Sequence, residues 1–278
     1  MSDQTKKWWT KYAWQARRWQ MGFSAKEFRR QTIDLLFPPR CPITDEPVSR
    51  QGTFAPEVWQ NVRQMAPPWC EKCGMPFAYE VQAASQCVVC ASPDDYPENL
   101  TAPGRLDLIR SALIYDEASA PAILRLKYAD RFDGVAAFSH IMAGAGRDIL
   151  TLPHTVLLPV PLHHQRLRAR RYNQAGLLAE GVSKVTGVSV NHQLLKRVRP
   201  TPSQKGGDRK QRMKNVKGAF EVQKGQDLSA QNFVLVDDVL TTGATLLACA
   251  AALRQAGAHH VHAILLSRVV KSVENPLS

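Results

Sequence analysis

The chain has 278 residues, 44% of them hydrophobic and 22% charged, which is the make-up of a globular protein with room for one large domain plus a smaller one, or for two. No stretch approaches the roughly 18 uninterrupted apolar residues of a membrane span. The net charge of +12 is concentrated: residues 161–217 hold fourteen Lys or Arg against two acids, and residues 1–40 hold nine against three. Such basic surface attracts phosphates, whether of nucleic acid, lipid headgroups or a small polyanion, and does not choose among them.

In chain order, residues 5–37 place aromatic and apolar residues (Trp8, Tyr12, Trp19, Phe28, Ile33, Leu36) at roughly helical spacing among basic ones, and Pro38 and Pro39 stop the segment. The N-terminus lacks a compact apolar core followed by a small-residue cleavage site, so no signal peptide is expected and the protein is read as cytoplasmic. The expected divisions are a basic helical extension at 1–40, a metal-stapled module at 41–103, and an α/β domain at 104–278.

The middle segment is rich in Pro and Cys and poor in periodicity. Cys70 and Cys73 in "WCEKCG" and Cys87 and Cys90 in "QCVVCA" form two C-x-x-C turns with thirteen residues between the pairs. Each turn brings two sulfurs toward one point, and two such turns complete a tetrahedral thiolate shell for structural zinc. Two disulfides or idle thiols are the alternatives, and a reducing cytosol opposes the first. With four cysteines in place no position is left open for water, which argues against a catalytic ion. Gly74 follows the first turn, where the chain must bend tightly. Cys249, within "LLACAAAL", reads as a buried helix residue.

From Arg105 onward short strands alternate with helices. "SALIYD", "TVLLPV", "NFVLVDDV" and "HVHAILLSRV" read as strands. "APAILRLKYAD", "NQAGLLAEGVSKVTG" and "TLLACAAALRQAG" read as helices, the second with Leu177, Leu178, Val182 and Val185 on its apolar side and Gly187 at its end. The pattern predicts a parallel sheet flanked by helices, with ligands bound beyond the carboxyl ends of the strands.

One such end is chemically unusual. In "NFVLVDDVLTTGATL" a buried strand from Phe233 ends in Asp237 and Asp238, and Thr241, Thr242, Gly243, Ala244 and Thr245 follow. Adjacent carboxylates resist burial unless something neutralises or hydrogen-bonds them, and a sugar diol or a bound Mg²⁺ would do so. The small residues let backbone N–H groups and threonine hydroxyls approach an anion at a helix N-terminus. A phosphate one ribose away from two carboxylates describes a ribose 5-phosphate site; an acidic structural turn is the plain alternative.

"VLVDDVLTTGATL" resembles the phosphoribosyl diphosphate (PRPP) signature of type I phosphoribosyltransferases. With "LLPVPLHHQRLRARRYNQA" and "RPTPSQKGGDRKQRMKNVKGAF", the chain from about Phe37 to Arg268 resembles the ComF family of competence-associated proteins, which join a cysteine zinc module to this domain. The resemblance implies that Asp237 and Asp238 contact the ribose 2- and 3-hydroxyls and that residues 241–245 hold the 5-phosphate. It also implies that the turn Pro159–Leu162, with Val160, Pro161 and Leu162, contacts the diphosphate together with Arg171. A flap from Arg197 to Lys217, with Gln204, Arg209 and Arg212, would close over the site. Arg166, Arg168, Arg170 and Lys127 are further cationic candidates; the histidines receive no role, being read as exposed or locally hydrogen-bonded.

The chain departs from the family twice. Thr44 stands where many relatives have a second cysteine after Cys41, and Arg170–Arg171–Tyr172–Asn173 replaces a common Arg-Gly-Phe-Asn. The ligand set for a second zinc at Cys41 is therefore incomplete. Three functions follow from the resemblance: phosphoribosyl transfer from PRPP with Mg²⁺ to an unidentified acceptor, PRPP or nucleotide sensing without turnover, and service to DNA uptake with single-stranded DNA or competence proteins as partners.

Overall fold

The computed structural model describes residues 34–41, 43–50, 52–77, 85–96, 99–128, 133–163, 167–168, 172–200, 211 and 215–270. The chain divides into two units, Met1–Pro39 and Arg40–Ser278. In the first, residues 34–36 are helical and the stretch ends before Pro38 and Pro39. The rest of the expected N-terminal helix lies outside the described residues.

The second unit is built on five strands: β1 (Ile109–Ile114), β2 (Thr155–Pro159), β3 (Ser189–Val190), β6 (Asn232–Leu240) and β7 (His260–Arg268). They run in the order β1-β7-β6-β2-β3 and every pairing is parallel, as the alternating pattern predicts. Two further strands, β4 (Leu195–Arg197) and β5 (Phe220–Val222), form a separate antiparallel pair. Helices α1 (Pro56–Asn61) and α2 (Val88–Ala91) are short. The longer helices are α3 (Ala120–Tyr128), α4 (Asp133–Ala145), α6 (Gln174–Thr186) and α7 (Ala244–Gln255), and α5 (Arg147–Leu150) is one turn.

Because successive strand residues face opposite ways, the central strands feed two cores. Leu157, Val234, Val236 and Ile264 pack with Ile123 of α3, Phe138 and Met142 of α4 and Leu178 and Val182 of α6. Leu158, Phe233, Leu235 and Leu265 pack on the other face with Leu246, Cys249 and Leu253 of α7. Cys249 is fully buried, as its apolar surroundings in sequence suggest.

Helix α6 starts at Asn173, whose side chain accepts the Ala175 N–H, and stops at Gly187 in left-handed conformation. Its apolar side differs from the sequence reading. Leu178, Ala179 and Val182 are buried, whereas Val185, in the last turn, is 41% exposed.

The cysteine-rich segment is tied to the edge of this sheet. Gln64 bridges Leu113 in antiparallel fashion, the Met65 N–H donates to the Ala112 carbonyl, and the Ile109 N–H donates to the Lys72 carbonyl. An open strand edge invites association with other chains, and here residues 63–72 cover β1. Earlier in the segment Phe54 packs against Phe138 of α4 at 5.3 Å between ring centres. Cys41 is fully buried within that same apolar cluster.

Candidate functional site

The strand order has one point where the chain diverges. From β2 it proceeds through α6 to β3 on one side; from β6 it proceeds through α7 to β7 on the other. The crevice between the carboxyl ends of β2 and β6 is thus the topological switch point, where open α/β sheets place their ligands. Both site motifs border it. β2 stops at Pro159, opposite Val236, so Asp237 and Asp238 lie just beyond the end of β2.

The carboxylates do not terminate their strand, as the sequence reading had it. β6 continues to Leu240 because β7 keeps pairing with it, Val239 against Ser267 and Leu240 against Arg268. Strand alternation puts the two aspartates on opposite faces. Both are partly exposed, and the Asp237 carboxylate accepts the Asp238 N–H at 2.9 Å. Asp237 lies close enough to Cys249 for its charge to add to the effect of complete burial, which pushes that thiol well above the ordinary range.

The expected five-residue loop is shorter than the sequence suggests. Thr241, Thr242 and Gly243 form it, while Ala244 and Thr245 already belong to the first turn of α7. Gly243 is the helix N-cap with φ +73°, left-handed backbone that favours glycine. No side chain caps the helix, and the first intrahelical bond runs from the Leu247 N–H to the Gly243 carbonyl. The amides of the first turn therefore lack intrahelical partners, and with the helix dipole they form an anion-favouring end.

Across the crevice, Val160 is buried and Pro161 and Leu162 are half-buried. The Val160 N–H donates to the Val236 carbonyl at 2.9 Å, extending the β2–β6 contact past the last paired strand residue. Asn173 fixes this turn from α6 by donating its side-chain N–H to the Val160 carbonyl at 3.1 Å. In the sequence Asn173 stands out as a helix start and as the last residue of the Arg170–Asn173 run, not as an anchor of this turn. Among the cationic candidates, Arg168 is exposed, and Arg166, Arg170 and Arg171 lie outside the described residues, as does the side chain of Lys127. Gln204, Arg209 and Arg212 also fall outside them. What is described of the expected flap is its base: β4 and β5 pair antiparallel, and the Arg197 guanidinium stacks 5.4 Å from the Phe220 ring centre.

Two of the histidines fall on the hydrogen-bonded rather than the exposed side of the sequence reading: His163, beside the β2 turn, is buried, and so is His262. His262 Nε2 lies 3.4 Å from the Asn232 side-chain oxygen. Burial lowers its pKa to about 4, against the opposing pull of Asp107.

The second chemical centre is the cysteine cluster. The sulfurs of Cys70, Cys73, Cys87 and Cys90 all lie within 4.8 Å of one another, and none is in a disulfide. The Cys73–Cys87 separation of 3.7 Å matches the edge of a tetrahedron with zinc–sulfur bonds of about 2.3 Å. Gly74 makes the first knuckle possible. Its φ is +63°, and a β-carbon there would come within 2.7 Å of the Ile109 carbonyl oxygen. Crowding makes the thiols share protons: contact with Cys73 and the others draws Cys70 down, while Cys70 pushes Cys73 up. A divalent ion displaces these protons when it binds, because the thiolate is the ligand form. Three of the four sulfurs belong to buried residues and every corner is protein, so the site fits a structural zinc. Among the described residues no other such group of ligands occurs. At Cys41 apolar packing stands where a second ion would need further cysteines.

Comparison with known proteins finds both a zinc ribbon and a phosphoribosyl transferase domain in the chain. A double zinc ribbon domain model matches residues 32–91, and a phosphoribosyl transferase domain model matches residues 178–276. Fold and site thus define a protein that joins a zinc ribbon to an α/β domain of the phosphoribosyltransferase type. Competence protein F of Haemophilus influenzae is 30% identical over 207 residues, which cover 72% of this chain and 85% of that protein. The chain belongs to the competence protein F family. It is also 27% identical to DNA utilization protein YhgH of Escherichia coli K12 over 72% of this chain and 84% of that one. Competence protein ComFC of Bacillus subtilis is 27% identical over 53% and 58%. Among solved structures, a Staphylococcus aureus hypoxanthine phosphoribosyltransferase aligns over 52% of this chain and 71% of its own, at 12% identity and TM-score 0.30. No helix among the described residues is long and apolar enough to cross a membrane.

Proposed function

We propose that the chain binds PRPP together with Mg²⁺ at the β2–β6 switch point and is built for phosphoribosyl transfer. The observation that carries this reading is the convergence of two motifs on one crevice, the acid pair of β6 with the left-handed N-cap of α7, and the anchored turn after β2. In this reading Asp237 and Asp238 accept hydrogen bonds from the ribose 2- and 3-hydroxyls. Thr241, Thr242, Gly243, Ala244 and Thr245 hold the 5-phosphate through backbone amides and hydroxyls. The backbone of Val160, Pro161 and Leu162 faces the diphosphate, with Arg171 beside it. Gln204, Arg209 and Arg212 would close from the flap, and a bound Mg²⁺ would supply charge to offset the departing diphosphate.

Transfer breaks the bond between C1 and the diphosphate oxygen as an acceptor nucleophile bonds to C1, and diphosphate leaves with the electron pair. The sugar passes through a cation-like state of the kind met in glycoside cleavage, so positioning and charge stabilisation carry the catalysis. Incubation with PRPP, Mg²⁺ and a panel of bases and amines, followed by assay of diphosphate, tests turnover. Release that depends on one acceptor class and is lost in Asp237→Asn supports transfer. Tight PRPP binding without release from any acceptor supports a sensing role.

The names of the relatives favour a second reading, service to DNA uptake as an accessory that binds single strands. The +12 segment at 161–217 and the N-terminal tryptophans suit it, because basic grooves and aromatic stacking hold single strands. Oligonucleotide affinity should then fall steeply between low and moderate salt; salt-independent or absent binding rejects it. We take 1–40, 41–103 and 104–278 as the extension, zinc module and transferase-like domain of this arrangement.

A further inference from the structure

The zinc ribbon is joined to the proposed phosphate loop by three consecutive residues. Cys90 Sγ lies 3.2 Å from the Thr101 hydroxyl. Asn99 is buried and braces both sides: its amide donates to the Val89 carbonyl at 2.7 Å, and its oxygen accepts the Thr101 N–H at 2.8 Å. Between them, Leu100 leans on the loop so closely that a β-carbon on Gly243 would meet its Cδ2 at 2.5 Å and its Cδ1 at 2.7 Å. Arg105 completes the strut by donating to the Asn99 carbonyl at 2.5 Å. The first knuckle reaches the same end of the sheet independently. The buried Arg268, at the carboxyl end of β7, donates to the Cys73 carbonyl at 2.5 Å.

We propose that Leu100 is a positioning residue through which the occupied cysteine cluster sets the shape of the phosphate loop, so that the zinc ribbon is part of the ligand site. The consequence for PRPP rests on the reading of residues 241–245 given above; the link between cluster and loop does not. In the closed cluster Cys90 Sγ packs 3.2 Å from the Thr101 hydroxyl, which also donates to the Asn99 side-chain oxygen at 2.9 Å. This fixes the hydroxyl and, through residues 99–101, the position of Leu100. With Leu100 on one side, Gly243 is held in its left-handed turn and the amides of the first turn of α7 stay aligned. If the cluster opens on losing its ion, the segment 99–101 anchored on Val89 and Cys90 shifts as a unit, Leu100 lifts, and the loop loses its preorganised geometry.

Amide hydrogen exchange on the full zinc-loaded chain tests the link without any ligand. Leu100→Ala should speed exchange of the first bonded turn of α7, Leu247–Ala250, by about tenfold, with the β6 amides of Phe233–Val236 unchanged. Leu100→Met should restore slow exchange, and Thr101→Val should act like Leu100→Ala at unchanged zinc content. PRPP affinity, measured by calorimetry with Mg²⁺, should fall in Leu100→Ala and recover in Leu100→Met. Unchanged exchange at Leu247–Ala250 in Leu100→Ala overturns the proposal, as does an acceleration spread equally over β6. Exchange that responds as expected in a protein whose parent form binds no PRPP upholds the link and rejects the ligand assignment.

Discussion

Gly243→Ala is the substitution whose outcome the geometry constrains most tightly. The backbone there has φ +73°, and a residue with a β-carbon held in left-handed conformation costs roughly 1–2 kcal/mol more than glycine. The new methyl would also sit 2.5 Å from Leu100 Cδ2 and 3.2 Å from its Cγ, so Leu100 must leave its rotamer or its place, at about another 1 kcal/mol. The sum, about 2–3 kcal/mol, falls on the conformation that aligns the first-turn amides. It should emerge as lost stability if the loop keeps its shape, or as weaker ligand binding if the loop relaxes, about 30-fold or more at 2 kcal/mol. Denaturant unfolding and calorimetry with PRPP and Mg²⁺ together capture both routes. The strain is shared by two side chains, so the effects should not add: Leu100→Ala should cost less in the Gly243→Ala background than in the parent. A Gly243→Ala protein with parental stability and parental affinity would refute the reasoning.

Two further outcomes follow from groups away from the loop. His262 has its pKa lowered to about 4 by burial, so between about pH 6.5 and 4 the unfolded chain binds more protons than the folded one. Its contribution is intact above pH 6.5 and is lost as pH falls through that window, by about 3 kcal/mol in all. Chemical denaturation across this range should therefore show a smaller slope in His262→Leu, and an identical slope would contradict the assignment. Purified protein should carry about one zinc per chain by elemental analysis, and Cys70→Ser should abolish it with loss of the fold around residues 63–77. Metal-free protein with that segment fully protected in hydrogen exchange would argue against the site.

Much of the α/β frame was legible because its signals are local. Buried strands such as β2 and β6 announce themselves as short apolar runs, and α6 carries its own start and stop in Asn173 and Gly187. The switch-point motifs were legible for the same reason, since acids, threonines and glycine occupy one continuous stretch. Helix α4 was not, because Gly134 and Gly144 weaken the helical signal of a stretch that mixes alanines with Phe138, Ile141 and Met142. β3, β4 and β5 are two or three residues long, too short for any period to show. β6 runs one residue past the expected "NFVLVDDV", to Leu240, because its last residues are held by pairing with β7, a contact between distant segments. Leu100 on Gly243 and Arg268 on the Cys73 carbonyl are likewise long-range, and nothing in their own sequence marks them.

Calorimetric titration of PRPP with Mg²⁺ into the parent protein and into Asp237→Asn/Asp238→Asn tests the central claim most directly. The account predicts Mg²⁺-dependent binding by the parent and its loss in the doubly substituted protein, with both unfolding cooperatively in the same range of denaturant. Equal affinity in two equally folded proteins would contradict it.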